Sequence, residues 1–206
     1  FVLAPSKEQS ATGMKISVRQ KLRVVNRQDI ADKLQSNSEI PLKMYSLDGS
    51  PCDCVIAALD GGIKMLEPDL MPTLCISGVN QGPNMSIDIM HSGTVSAARE
   101  SALYGLPSIA VSLATYEHSN FQDSVNGTIK ILEKCLDFLP IIPTDYLRKD
   151  GSKSIFSLNT DAKSIKENFA RGNIFLNLNA PVKWNRNFST VSLGSRWYRN
   201  AIRSHY

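Results

Sequence analysis

The chain has no apolar run long enough to span a bilayer, so no transmembrane helix is expected. It contains no G-x-S-x-G elbow, no H-E-x-x-H and no P-loop, which argues against serine hydrolases, zincins and P-loop ATPases. It also lacks an RNA-binding aromatic motif and zinc-finger spacing. Histidine is scarce, with only His91, His118 and His205 in 206 residues, so few imidazoles are available for proton transfer. No C-x-x-C pair occurs among Cys52, Cys54, Cys75 and Cys135, and buried reduced thiols are the preferred reading. Reduced thiols point to a reducing compartment, and the expected localisation is cytoplasmic. The net charge of +4 is mild, with the arginines thickening near Arg186, Arg196, Arg199 and Arg203. An ordinary solvated face is expected there, and nucleic acid is not an expected partner. The first residues, FVLAP, read as a strand already under way, without an initiator Met.

What is present is an alternation of strands and helices. Phe1–Ala4 is a short apolar strand followed by SKEQSATG, a loop of small polar residues. Lys15–Asn26 partly alternates apolar and polar residues, as a half-buried extended segment or hairpin does. Lys43–Leu47 is a further strand, closed by the Asp48-Gly49 turn. Ser50-Pro51 with Asp53 opens a helix, which Gly61-Gly62 is placed to interrupt. Leu74–Ile76 is a strand, and a helix follows from His91 or Ser92 to about Tyr104, ended by Gly105. PSIAVSL over Pro107–Leu113 has the continuous apolar character of a strand buried on both faces. Phe121–Leu139 reads as an amphipathic helix with Val125, Ile129, Leu132 and Leu136 on its apolar stripe. Residues 142–171 read as an irregular surface excursion, and Asn173–Leu178 as a last strand. The expected fold is a single α/β domain over residues 1–206, with a mostly parallel sheet covered by helices on both faces and an extended hairpin region.

In such sheets ligands bind beyond the carboxyl ends of the strands. Two loops occupy that position: SKEQSATG, and SGVNQGPN within the stretch ISGVNQGPNMSIDIMHSGTVSAARES, Ile76 to Ser101. Both offer backbone N–H groups and small side chains. The helix opening Ser92-Gly93-Thr94 adds free N–H groups and a positive dipole end, a natural seat for phosphate. Turn geometry and capping explain any one of these features. Their conjunction with Asn80 and Asn84 favours an anion-binding pocket. His91 is placed to donate to a phosphate or a leaving oxygen, and a plain surface role stands beside that reading. Asp88, alone with amide and hydroxyl oxygens, makes an incomplete site for a hard metal. Composition and spacing by themselves stop at an α/β domain that binds an anionic small molecule.

The order of several blocks goes further. VLAPSKEQSATG, DGSPCDCV, ISGVNQGPNMSIDIMHSGTVSAARE, PSIAVS and FLNLNAP, with a weaker SLGSRWYRN, resemble in sequence and order the SurE family of stationary-phase survival proteins, metal-dependent nucleotide phosphatases. The resemblance implies a three-layer, Rossmann-like α/β fold with its site at the strand ends. It implies one divalent cation per subunit, Mg²⁺ or Mn²⁺, held by two adjacent aspartates, a serine and an asparagine. The serine falls on Ser10 and the asparagine on Asn80. Ser92, Gly93 and Thr94 match the phosphate-binding helix start, Asn84 and Asp88 flank the same pocket, and His91 falls on a position taken by an aromatic residue or histidine. The implied reaction is hydrolysis of nucleoside 5′- or 3′-monophosphates, by a homodimer or homotetramer. The family's Asn-Asp-Asp-Gly motif does not occur in this sequence, and its aspartates are expected upstream of Phe1 in a longer protein. The alternative is a nucleotide- or phosphate-binding protein that lacks the acidic pair and does not catalyse.

Overall fold

The structure is a computed structural model, and it describes residues 1–35, 39–117, 119–139 and 161–195. Two three-stranded sheets form its centre. In the first, β1 (Val2–Pro5) runs parallel to β3 (Met44–Leu47), and β2 (Val24–Asn26) pairs antiparallel with β3 on its other edge. In the second, β4 (Cys75–Gln81), β5 (Ser108–Leu113) and β6 (Leu176–Ala180) are all parallel, with β5 central. Every residue of β5 is buried, as expected of a central parallel strand of apolar and small residues.

Side-chain alternation along β5 explains the two helical layers. Ala110 points to one face, where it packs with Val95 and Ala98 of α5 (Gly93–Leu103). Ile109 and Val111 point to the other face. There they join Ile131, Leu132 and Cys135 of α6 (Gln122–Cys135) and Phe169 of α7 (Ala162–Ala170). On the α5 side, α2 (Pro51–Ala57) contributes Val55 to a cluster with Ala97 and Leu106. Phe1, beside β1, and Cys75 of β4 both pack against that cluster, so the helical layer bridges two sheets that are not hydrogen-bonded to each other.

The start of α2 is fixed by a reciprocal cap. Asp53 N–H donates to Ser50 Oγ at 3.1 Å, while Ser50 N–H donates to Asp53 Oδ2 at 2.8 Å. Ser17 adds its N–H and its hydroxyl to the Asp53 carboxylate, each at 2.8 Å. These bonds account for a departure from the alternation over Lys15–Asn26, where only Val24–Asn26 is a strand. The stretch before it is tied to the α2 cap and leaves Ile16 and Val18 exposed.

Other bounds differ as well. A short helix α1 (Gln28–Leu34) was not expected, and α2 continues through a kinked turn at Ala58–Gly62 into α3 (Ile63–Leu66). Residues 140–160 lie outside the described residues, and α7 occupies much of the remainder of the expected irregular excursion. Of the apolar stripe expected on α6, Leu132 packs against the core, whereas Val125, Ile129 and Leu136 are 40%, 48% and 61% exposed. The fully buried positions are Ser124, Gly127 and Thr128, and Gly127 lies over Leu178 of β6. All four cysteines are free, and burial pushes the Cys52 and Cys54 thiols up to about 11 and about 12. Among the described residues, no helix is long and apolar enough to cross a membrane.

Candidate functional site

The carboxyl ends of β1 and β4 and the start of α5 converge on one cavity of about 480 Å³. Ser10, Asn80, Asn84, Asp88, His91, Ser92, Gly93 and Thr94 all line it, so every residue singled out from the sequence is brought to a single place. The cavity also takes Pro51 from α2, Lys7, Glu8 and Gln9 from the first loop, and Tyr116 from the loop after β5.

Asn80 owes its position to an irregularity in β4. Ser77 pairs with Ala110 and Asn80 with Ser112, so two residues of β4 stand against the single Val111 of β5. Such a bulge re-aims the side chains that follow it. A Cβ on Gly78 would collide with the Val111 carbonyl, so this crossing tolerates only glycine. Asn80 Nδ2 donates to the Gly82 carbonyl at 2.8 Å, which commits the amide nitrogen and leaves Oδ1 on the side of Thr94, 3.5 Å from its hydroxyl.

Ser92 caps α5, and the alternative cap, His91, is instead the last residue of the short helix α4 (Asp88–His91). Ser92 Oγ accepts from Val95 N–H at 3.1 Å. The first N–H groups of a helix have no partner within it, and Gly93 and Thr94, at that start, both line the cavity. Gly93 is buried, and the reason is packing. A Cβ there would stand 2.8 Å from Pro51 Cγ, 3.1 Å from Thr12 Oγ1 and 3.3 Å from the Gln9 carbonyl. The absence of a side chain lets the first loop close on the helix start. Gly13 N–H donates to the His91 carbonyl at 2.7 Å and fastens the same contact.

Ser10 lies at the exposed rim. Hydrogen bonds from its hydroxyl and its N–H hold the Glu8 carboxyl below the usual carboxylate range. A hydroxyl that donates to Glu8 keeps its lone pairs for another ligand. Ser10 Oγ and Asn80 Oδ1 are thus neutral oxygens of the kind a hard cation takes. Among the described residues, no three acidic, histidine or cysteine side chains gather into a metal-binding group. The described residues therefore fit the neutral part of a cation shell and do not furnish its charge.

Asn84 is only 6% exposed and is held from β5 and β6. Its side-chain Nδ2 donates to Ser112 Oγ at 2.8 Å, and Asn177 Nδ2 donates to its carbonyl at 2.9 Å. Asn177, Asn179 and Tyr116 were not anticipated. The alternation of Asn in FLNLNAP was the one available signal for the first two, and nothing marked Tyr116.

The family profile described as "Survival protein SurE" matches residues 1–203. The 5′-nucleotidase SurE of Natranaerobius thermophilus is 42% identical over 130 residues, covering 63% of this chain and 46% of that protein. The 5′-nucleotidase SurE of Pelotomaculum thermopropionicum is 42% identical over 124 residues, covering 60% of this chain and 43% of that protein. The crystal structure of the SurE protein from Aquifex aeolicus is similar with a TM-score of 0.50 and 30% identity, over 66% of this chain and 48% of the other. The chain spans about half the length of these relatives. On the match across residues 1–203, the chain belongs to the SurE family.

Proposed function

We propose that the protein is a divalent-metal-dependent phosphomonoesterase that hydrolyses nucleoside 5′- or 3′-monophosphates to nucleoside and phosphate, with the cavity as its active site. One observation carries the reading: the start of α5 meets the Asn80 amide at the wall of a cavity that both strand-end loops line. Relatives named 5′-nucleotidases support the substrate class.

In this reading Gly93 and Thr94 hold phosphoryl oxygens through their N–H groups, aided by the positive end of the α5 dipole. Interactions fixed before the reaction stabilise the charge that spreads over those oxygens as the ester bond breaks. Ser10 and Asn80 are the neutral ligands of one divalent cation, Mg²⁺ or Mn²⁺. When bound, that cation supplies Lewis-acid charge against the phosphoryl group. Asn84 borders the phosphate site from the β4 loop. His91 and Asp88 line the same cavity, and in this reading His91 gives a proton to the departing alkoxide oxygen.

The reading is tested with Asn80→Ala in the full-length protein. Turnover of a nucleoside monophosphate falls steeply while the variant stays folded. Wild-type turnover in that variant removes Asn80, and with it the assignment of the site.

A further inference from the structure

The residues that line the cavity are mostly small or polar, and Tyr116 is the exception. Its side chain borders the cavity, yet the residue is 69% exposed. The loop that carries it is short and well tied. Thr115 N–H donates to the Leu113 carbonyl at 2.8 Å, and Glu117 N–H donates to Thr115 Oγ1 at 3.1 Å. Gly82 N–H reaches the same Leu113 carbonyl at 3.0 Å, which brings the β4 loop alongside. There the tyrosine ring rests on Gly82. A Cβ added to Gly82 would fall within 2.6 Å of ring atom Cζ and 2.7 Å of Cδ1, so only glycine leaves room for the ring. A large ring exposed at the border of a polar cavity presents apolar surface that a flat ligand group would cover.

We infer that Tyr116 is the stacking platform for the base of the nucleotide, and so a specificity-determining residue that favours phosphate esters bearing a planar ring over simple sugar or polyol phosphates. The inference rests on the phosphatase reading of the cavity and adds the recognition of the non-reacting part of the substrate. Stacking on an aromatic side chain is tolerant of base identity, because every base has a π-face. Tyr116 therefore selects for a base without selecting strongly among bases. Gly82 belongs to the same device, since a side chain there displaces the ring.

The test compares wild type, Tyr116→Ala and Tyr116→Phe as full-length proteins on adenosine 5′-monophosphate and on glycerol 3-phosphate. In Tyr116→Ala the ratio of kcat/KM for the nucleotide to that for glycerol phosphate falls about 5- to 150-fold, the range that loss of one base stack produces. The loss appears in KM with kcat retained, as for binding shared by ground and transition states. Tyr116→Phe, which keeps the ring and loses the hydroxyl, restores the ratio. An unchanged ratio in Tyr116→Ala overturns the inference, as does an equal loss on both substrates, which would mark a structural role for the loop. If wild type hydrolyses neither ester, the phosphatase reading fails separately. Calorimetric binding of adenosine monophosphate and of inorganic phosphate to the same three proteins then decides: Tyr116→Ala weakens only the nucleotide, and any other pattern, including no nucleotide binding by wild type, overturns the platform.

Discussion

The side-chain amide of Asn179, in β6, pairs with both backbone polar groups of Asn84, 95 residues earlier in the chain. Asn84 N–H donates to Asn179 Oδ1 at 2.8 Å, and Asn179 Nδ2 donates to the Asn84 carbonyl at 3.1 Å. The amide thus imitates a neighbouring strand and anchors the loop that lines the cavity to the second sheet. Asn179→Asp preserves the acceptor and removes the donor, setting a carboxylate against a carbonyl oxygen. Losing such a bond costs about 1–3 kcal/mol, roughly a 5- to 150-fold loss if it is expressed in kcat/KM. A protonated carboxyl again offers both a donor and an acceptor. The ratio of variant to wild-type kcat/KM on a nucleoside monophosphate should therefore rise as pH falls toward the carboxyl's pKa, and a ratio flat in pH would show that the donor is not needed.

Asn80 directly follows the β4 bulge and faces Thr94. Replacing it with Ala is expected to lower phosphate release by about 10²- to 10³-fold, the scale seen when one preorganised polar group is removed from a reacting centre. Stability should fall only by about 1 kcal/mol, for the lost bond to the Gly82 carbonyl. Phosphate release and chemical denaturation of the same preparation separate the two effects.

Asp53 links the α2 cap to the segment around Ser17, far from any proton transfer. Burial alone would raise its carboxyl, but hydrogen bonds from the N–H groups and hydroxyls of Ser17 and Ser50 outweigh burial and hold it below the usual range. Its folded pKa lies below its unfolded value of about 3.9, so its stabilisation is complete above that value and is lost as pH falls through the folded pKa. Asp53→Asn should destabilise the protein at neutral pH by about 1–3 kcal/mol. Denaturation midpoints of variant and wild type should converge as pH falls through the carboxyl's folded pKa. A constant difference through that pH would mean that the carboxylate charge is not what the cap uses.

Gly93→Ala introduces a methyl group where Pro51, Thr12 and the Gln9 carbonyl already stand. Overpacking of this kind costs about 1–3 kcal/mol. Because the atoms displaced belong to the first loop, inhibition by inorganic phosphate should weaken along with stability. Unchanged phosphate inhibition in a destabilised variant would show that the loop and the phosphate site are independent.

Much of the frame was legible because its signals are local. Ser50, Pro51 and Asp53 carry a complete helix start within four positions, and Ser108–Leu113 holds only small or apolar residues and no charge. The cavity wall was legible for the same reason, since Asn80 to Thr94 is one continuous stretch. What escaped is non-local or rests on small residues. The fully buried positions of α6 are Ser124, Gly127 and Thr128, which carry little hydrophobic signal, so a stripe drawn from the large side chains keeps only Leu132 on the core. The Asn179 clamp joins residues on opposite sides of the chain's middle, and no period or motif connects them. A single tyrosine in a loop has no pattern at all; its place shows only once Gly82 is beneath it.

The decisive experiment is phosphate release from adenosine monophosphate by the full-length protein, with Mg²⁺ or Mn²⁺ and with a chelator in excess. Release that depends on the cation, stops with the chelator and is lost in Asn80→Ala is the expected outcome. A folded protein that binds the nucleotide yet releases no phosphate with either cation would leave the cavity as a binding site and remove the catalytic reading.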